Sequence, residues 1–387
     1  EKHTTRARAN IFREIAGREN ANRPFESEQI KDVFDLCLSC KGCKSECPSN
    51  VDVGKIKTEF QYQYQKAKGV KWRTWLIGNY TRMNRGAAMV TPLYNAAVKF
   101  KPTSYLIKLI SGFSPKRSLP ALNKITFEKW FQNGQGSSEH TGSDKRLILF
   151  LDEFTNYNDL EVGKAAAQTL SALGYDVTLS QTGESGRSFI SKGMLDEATD
   201  IANRNIEELK EKVTKDCPLV GLEPSAVLSF RDEFLELADD KVSASHVADN
   251  TLLFEEFIAK EIDAGNIDRT LFGPLTQQIK YHGHCHQKAL SSLTPLKKTL
   301  ELIPQASVQL IPSGCCGMAG SFGYEKEHFD VSMKIGELVL FPQIRDMKEG
   351  GVVVAPGTSC RHQIKDGTQT KALHPAELLW QSIQKGN

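Results

Sequence analysis

No stretch of these 387 residues is apolar enough for long enough to cross a bilayer. A spanning helix needs roughly 18 apolar residues in a row. The longest blocks here, "LILFL" at 147–151 and "VVV" at 352–354, read as buried strands. There is no secretory leader pattern. No G-x-G-x-x-G opens a helix after a strand, and there is no P-loop, no G-x-S-x-G and no H-E-x-x-H. Those absences remove the recognisable dinucleotide, nucleoside-triphosphate, serine-hydrolase and zinc-protease readings. Charge of one sign is also missing. A net charge of +2 offers no bulk attraction for nucleic acid. At 40% hydrophobic and 25% charged residues the composition is that of an ordinary globular protein. The length points to two or three domains. The expected location is the cytoplasm, with a peripheral place at the inner face of a membrane left open.

Cysteine is what the chain does have. There are nine, Cys37, Cys40, Cys43, Cys47, Cys217, Cys285, Cys315, Cys316 and Cys360, and eight of them fall in clusters. Disulfide scaffolds are normally short secreted chains, so clustered thiols here point to metal in a reducing compartment. The run "CLSCKGCKSECP" has the spacing C-x2-C-x2-C-x3-C-P of bacterial ferredoxins. In two-cluster ferredoxins the first three thiolates hold one [4Fe–4S] cube and the fourth ligates the other. Zinc would want two C-x2-C pairs, so Cys37, Cys40, Cys43 and Cys47 favour iron–sulfur. The half of the motif that would complete both cubes is missing. The chain starts at Glu1, without Met, on the charged stretch "EKHTTRARAN", which suggests a piece of something longer.

Residues 5–22 and 27–36 read as helices, the second capped by Ser27 with Ile30, Val33, Phe34 and Leu36 as its apolar face. "VDVGKIKTEFQYQYQKA" reads as a third helix, which leaves the cysteine run in a loop between helices. Between Lys66 and Lys129 there are thirteen Lys and Arg against one acidic residue, Glu128, with aromatics interleaved. That segment reads as helical, broken at Pro102, Pro115 and Pro120. It is expected either to dock on an acidic membrane surface or partner, or to present solvated faces over a buried aromatic stripe. "NGQGSSEHTGSDK" reads as a linker.

Beyond the linker the pattern turns to strand–helix–strand: "RLILFLDEF", then "EVGKAAAQTLSALG" ending at Gly174, then "YDVTLS". The order returns near residue 279. "TLSALGYDVTLSQTGESGRSF" lies over "TLELIPQASVQLIPSGCCGMAGSF", and "LVGLEPSAVLSFRDE" over "VVVAPGTSCRHQIKD". In this register Glu184–Ser185–Gly186 faces Cys315–Cys316–Gly317, and Ala226 faces Cys360. The expected fold is therefore α/β: an all-helical ferredoxin-like domain over 1–132, a linker at 133–145, and two repeated units at 146–270 and 271–387, only the second with thiols.

Cys285, Cys315, Cys316 and Cys360 come from three blocks that each follow a strand. In α/β units the carboxyl ends of strands converge on one edge, so four thiolates would form a complete ligand set, for iron–sulfur more readily than for zinc. Gly314, Gly317, Gly320 and Gly323 let backbone N–H groups approach sulfur. His282, His284, His286, His362 and His374 lie nearby in sequence. Packing or hydrogen bonding is the plainer role for each, and a ligand or proton carrier the sharper one. Cys217 reads as an unliganded thiol. With metal sites and no evident substrate pocket, the pattern is that of an electron carrier.

"GCCGMAGSFG", with "HGHCHQKAL" before it and "GTSCRHQI" after it, resembles the cysteine-rich CCG domain of glycolate oxidase and anaerobic glycerol-3-phosphate dehydrogenase iron–sulfur subunits and of heterodisulfide reductases. Paired with the ferredoxin-type motif, it is similar to the C-terminal half of large FAD-linked oxidases of the D-lactate and D-2-hydroxyglutarate dehydrogenase kind. The resemblance implies [4Fe–4S] clusters at Cys37, Cys40, Cys43 and Cys47 and a CCG centre at Cys285, Cys315, Cys316 and Cys360. It also implies an upstream FAD domain as electron donor and a quinone or other acceptor. The full CCG pattern ends C-x2-C, and Gly357 stands at the first of those places. Two other readings stay open: thiol–disulfide chemistry at Cys315 and Cys316, and a zinc-stabilised interaction module.

Overall fold

The computed structural model describes residues 3–17, 24–135 and 145–386. Helix Thr5–Ala16 is capped by Thr4, which accepts the Ala7 N–H. The helix expected to reach residue 22 stops at Ala16, where the Gly17 N–H returns to Arg13 O; residues 18–23 lie outside the described ones. Ser27 caps Glu28–Asp35 and Asp52 caps Val53–Lys68, each accepting an N–H three residues on. Their apolar faces meet at Ile30, Phe34, Val53 and Phe60, a small core under the first cysteine run. Four further helices follow, Trp72–Gly78, Tyr80–Ala88, Thr91–Lys99 and Lys101–Ser111. Pro102, expected to be a breaker, sits in the first turn of the last one and starts it; a missing N–H costs nothing at that position. Residues 136–144 of the expected linker lie outside the described residues.

Two four-stranded parallel sheets follow. The first joins β1 (Arg146–Leu149), β2 (Asp176–Leu179), β3 (Leu219–Gly221) and β4 (Thr251–Leu253) in the order 2-1-3-4. The second joins β5 (Gln278–Tyr281), β6 (Ser307–Leu310), β7 (Val352–Val354) and β8 (Ala372–Leu373) in the order 6-5-7-8, which is the same topology. "RLILFLDEF" is shorter as a strand than its composition suggests. β1 ends at Leu149, and Asp152 turns the chain into helix Glu153–Tyr157 by accepting the N–H groups of Phe154 and Thr155. The two units share one apolar core, which runs from Leu147, Leu149 and Val220 to Ile279, Tyr281 and Val354.

Ion pairs bolt the helical part to both units. Arg117, fully buried, donates to Gly323 O (2.9 Å), Gln363 Oε1 (2.9 Å), Ser332 Oγ (3.2 Å) and Asp366 Oδ2 (3.1 Å) in the second unit. Lys41, buried inside the cysteine run, reaches Asp52 (3.2 Å) and, in the first unit, Asp232 (2.5 Å) and Glu233 (3.0 Å).

Candidate metal centres

The carboxyl ends of β5, β6 and β7 deliver the second cysteine group to one place. After β5, His284 caps helix Cys285–Leu290 by accepting the His286 N–H, which places Cys285 in the first turn. After β6 the chain turns at Gly317 with φ +94°, and a Cβ there would come within 2.3 Å of Ser332 O. After β7, Gly357 precedes helix Thr358–Thr368, which carries Cys360 in its first turn. A Cβ on Gly357 would meet His284 Cδ2 at 2.5 Å, so a side chain there requires His284 to move.

The thiols touch in series, Cys285 to Cys315 to Cys316 to Cys360. A ring nitrogen of His282 and the Cys316 and Cys360 sulfurs lie within 4.8 Å of one another. His282 Nδ1 bonds Ser313 Oγ (2.7 Å), and its buried Nε2 has no partner among the described residues. Gly317 N–H donates to Cys315 Sγ (3.4 Å). Lys288 Nζ bonds Ser313 O (2.6 Å) and Gly314 O (2.9 Å), with its charge facing all four sulfurs. The contact with Cys315, then burial, pushes the Cys285 thiol well above its ordinary value, and the other three are raised too. Thiols so buried and crowded ionise only when a cation shares the space. The donor set, four sulfurs with the His282 ring nitrogen beside two of them, fits a soft, mainly thiolate-held centre.

The first cysteine run lies against it. Cys37, Cys40 and Cys43 line a cavity of about 160 Å³ with Thr5, Arg8, Val53 and Gly54. Left-handed backbone at Ser39 (φ +50°) and Lys41 (φ +61°) wraps the loop around that space. The loop also contains a short helix, Gly42–Glu46. Cys47 does not line the cavity. Its sulfur takes N–H groups of Val51 and Ser49, which hold the thiol below its ordinary value. Cys40 is pushed up to about 11, by burial first and then by the nearness of Cys285. His286 Nε2 meets Ser39 O at 3.0 Å, so a residue beside Cys285 touches a residue beside Cys40.

The other histidines singled out from the sequence have polar partners: His284 lies 3.9 Å from Glu223, His374 Nε2 meets Leu222 O (3.2 Å), and His362 bridges Tyr324 (2.5 Å) and Ser118 (2.5 Å). Cys217 is partly buried and packs against the core of the first unit.

In the first unit the same positions hold other chemistry. Glu153 follows β1 as Cys285 follows β5, and Asp152 caps the helix there as His284 does in the second unit. The Ser185 N–H donates to Glu153 Oε2 (2.8 Å) and its hydroxyl to Oε1 (2.9 Å). Gly186 turns at φ +69°, and Ala226 is fully buried. A carboxyl–hydroxyl pair occupies the space that thiols occupy in the other unit. The internal repeat in the sequence identifies Ser185 and Ala226 and misses Glu153, because its match needs the strand ends, not residue similarity.

A cavity of about 900 Å³ extends from Cys285, Cys315, Cys316 and Cys360 to the helices between Trp72 and Ser111. Its walls come from segments with no motif, and part of it is the space the four thiols enclose.

Residues 1–52 match a 4Fe-4S dicluster domain and residues 279–365 a cysteine-rich domain. The chain is 28% identical over 341 residues to one of the subunits of the anaerobic glycerol-3-phosphate dehydrogenase of Escherichia coli (strain K12), covering 87% of this chain and 83% of that one. It is 26% identical over 371 residues to the D-2-hydroxyglutarate dehydrogenase of Haemophilus influenzae, and 25% over 366 residues to that of Escherichia coli (strain K12). It spans 35% of the length of each of those two dehydrogenases. No solved structure matches it.

Proposed function

We propose that this chain, an iron–sulfur electron-transfer module of the kind found in FAD-linked dehydrogenases, passes electrons from a flavin partner through two abutting thiolate-held centres to a membrane quinone. Cys37, Cys40 and Cys43 hold the entry centre, with Cys47 serving a neighbouring cube. Cys285, Cys315, Cys316 and Cys360 hold the exit centre. Iron–sulfur clusters supply one-electron chemistry there; the protein sets their potentials through N–H donors, the Lys288 charge and burial. The observation that carries the reading is the contact of the two sites, His286 on Ser39 with Cys40 beside Cys285.

The flavin donor is carried over from the resemblance to FAD-linked oxidases; the relatives are dehydrogenases by name. The membrane contact follows from the surface. Among the described residues nineteen large apolar side chains are exposed, and thirteen of them lie between Val70 and Ile110. They include Trp72, Trp75, Met89, Leu93, Phe100 and Ile110. The same stretch carries seven Lys and Arg and no Asp or Glu. Exposed Trp and aliphatic side chains with basic neighbours and no acidic ones suit the interface of an anionic bilayer. No described helix is long and apolar enough to cross it.

Anaerobic reconstitution followed by iron, sulfide and zinc analysis, with EPR after dithionite, tests the relay. Iron with matching sulfide and a reducible signal is expected; zinc in their place overturns it. Co-sedimentation with phosphatidylglycerol vesicles tests the membrane face. Binding that weakens as salt rises through the screening range is expected, and no binding at low salt overturns that part.

A further inference from the structure

We infer that His282 is a fifth donor of the exit centre, its Nε2 sharing the metal with the sulfurs of Cys316 and Cys360. This rests on the reading of that group as a metal centre and adds one nitrogen to its four sulfurs. Three observations carry it. The first is position. His282 directly follows β5, and its N–H donates to Val354 O (2.8 Å), which carries the pairing of β5 with β7 one residue past the strand. The backbone is therefore fixed at the edge where the thiols converge. From there a ring nitrogen and the Cys316 and Cys360 sulfurs lie within 4.8 Å of one another.

The second observation is how the ring is held. Nδ1 bonds Ser313 Oγ at 2.7 Å, and Ser313 is itself fixed through its carbonyl by Lys288 Nζ (2.6 Å). A histidine that binds a metal gives its other ring nitrogen to such a partner, which sets the tautomer and the direction of the ring. With Nδ1 donating to the hydroxyl, Nε2 presents its lone pair. Burial keeps the imidazole neutral, the form that binds metal. The third observation is what the ring lacks. His282 is fully buried, and its Nε2 has no hydrogen-bond partner among the described residues. Buried polar atoms are nearly always satisfied, so a bare nitrogen beside two thiols marks the place of a shared partner. The thiols line the 900 Å³ cavity, whereas His282 takes no part in its wall. A proton carrier serving that cavity would have to face it; a ligand would not.

The test uses the full chain, grown with nitrogen-15 histidine, reconstituted anaerobically and read by pulsed EPR after reduction. We expect a nitrogen coupling that changes with the label and disappears in His282→Asn. Asparagine keeps a donor for Ser313 Oγ and has no imidazole nitrogen to give. That variant should also lose iron from the exit centre to a chelator at least tenfold faster, since even a group that only orients a ligand is worth about 10–100-fold in affinity. His282→Cys should restore retention and lower the midpoint potential, because a thiolate adds negative charge where a neutral imidazole adds none. If His282→Asn fails to fold by circular dichroism, the labelled wild-type spectrum and His282→Cys carry the result. Reducible clusters without a histidine coupling overturn the inference and leave the relay standing, as do unchanged iron retention and potential in His282→Asn. A chain that takes zinc in place of iron removes the relay, and X-ray absorption at the zinc edge then decides the ligand. One nitrogen among the sulfurs, lost in His282→Asn, upholds the assignment; sulfur alone overturns it.

Discussion

The two α/β units have one topology and opposite interiors at the same strand ends. In the second, Cys285, Cys315, Cys316 and Cys360 crowd together with thiols raised above their ordinary values. In the first, Glu153 and Ser185 satisfy each other. The fold therefore does not need the metal ligands, since a hydrogen-bonded pair closes the same space. What the first unit offers in exchange is a platform. Its Asp232 and Glu233 hold Lys41, and through it the loop of the entry cysteines. Burial raises the Glu233 carboxyl, but Arg187 and Lys41 outweigh it and bring it down to about 2, so the clamp is charged at any working pH. One copy gathers four thiols and the other holds the neighbouring cysteine loop in place.

The largest expected effect breaks the second unit alone. Cys360→Ala removes one of the four proposed thiolate ligands, and metal affinity at such a site is also folding energy, of order 10 kcal/mol for structural zinc. Iron per chain should drop by the content of that centre. Amides of β5–β7 should lose hydrogen-exchange protection while those of β1–β3 keep theirs. Wild-type iron with uniform protection would remove Cys360 from the ligand set.

Breaking the platform should cost less. Lys41→Met leaves Asp232 with Lys44 (2.8 Å) and Lys55 (2.8 Å), and Glu233 with Arg187 (2.7 Å), but strips the buried cation between them. Removing one partner of a buried charge network costs about 3 kcal/mol. Urea unfolding should show that loss, and the entry centre should lose iron faster in air than the exit centre. Equal loss from both would mean that the loop does not depend on the first unit.

A smaller effect sharpens the chemical contrast. Burial first, then the Asp152 charge, pushes the Glu153 carboxyl up to about 8. Its ordinary value is near 4.5. Between those values the folded chain holds a proton that the unfolded chain has released, so stability falls as pH rises through the window, by on the order of 1 kcal/mol per pH unit. Glu153→Gln cannot titrate and should flatten part of that fall. Asp152, raised to about 7, and Glu255, raised to about 8, both chiefly by burial, should leave the rest. Urea midpoints measured across the window, below it and at its upper edge, give the slope; an unchanged slope would mean that Glu153 is ionised in the fold.

Much of this was legible in the sequence because thiol spacing and strand–helix periodicity are local signals. The cysteine groups, the duplication and the Ser185 and Ala226 counterparts all follow from short stretches. Non-local features were not legible. Lys41 and Asp232 are far apart in sequence, and the Arg117 clamp draws on separate stretches of the second unit. The large cavity has walls from helices, both units and the first cysteine loop, so no window of sequence contains it. The length of β1 misleads for a local reason: "LILFLDEF" is apolar enough to continue as a strand, but the Asp152 side chain competes for the next N–H groups and starts a helix.

The smallest effect is expected at Cys47, and it separates a complete ligand set from a shared one. Three thiols, Cys37, Cys40 and Cys43, face one small cavity, and Cys47 lies outside it with its sulfur held by the N–H groups of Val51 and Ser49. Those donors stabilise a thiolate without any metal. In this chain by itself, Cys47→Ser should therefore leave iron and sulfide content unchanged within error, whereas Cys40→Ser should empty the entry site. Thiol reactivity should show the same division. Cys47 is partly exposed and lowered, while Cys40 is raised to about 11, chiefly by burial, so iodoacetamide at neutral pH should label Cys47 first, in loaded and metal-free chains alike. Mass spectrometry of the labelled peptides reads the order directly. Protection of Cys47 on loading with iron, together with an iron loss in Cys47→Ser equal to that in Cys40→Ser, would show that Cys47 completes the entry centre and that all four thiols close on one cube.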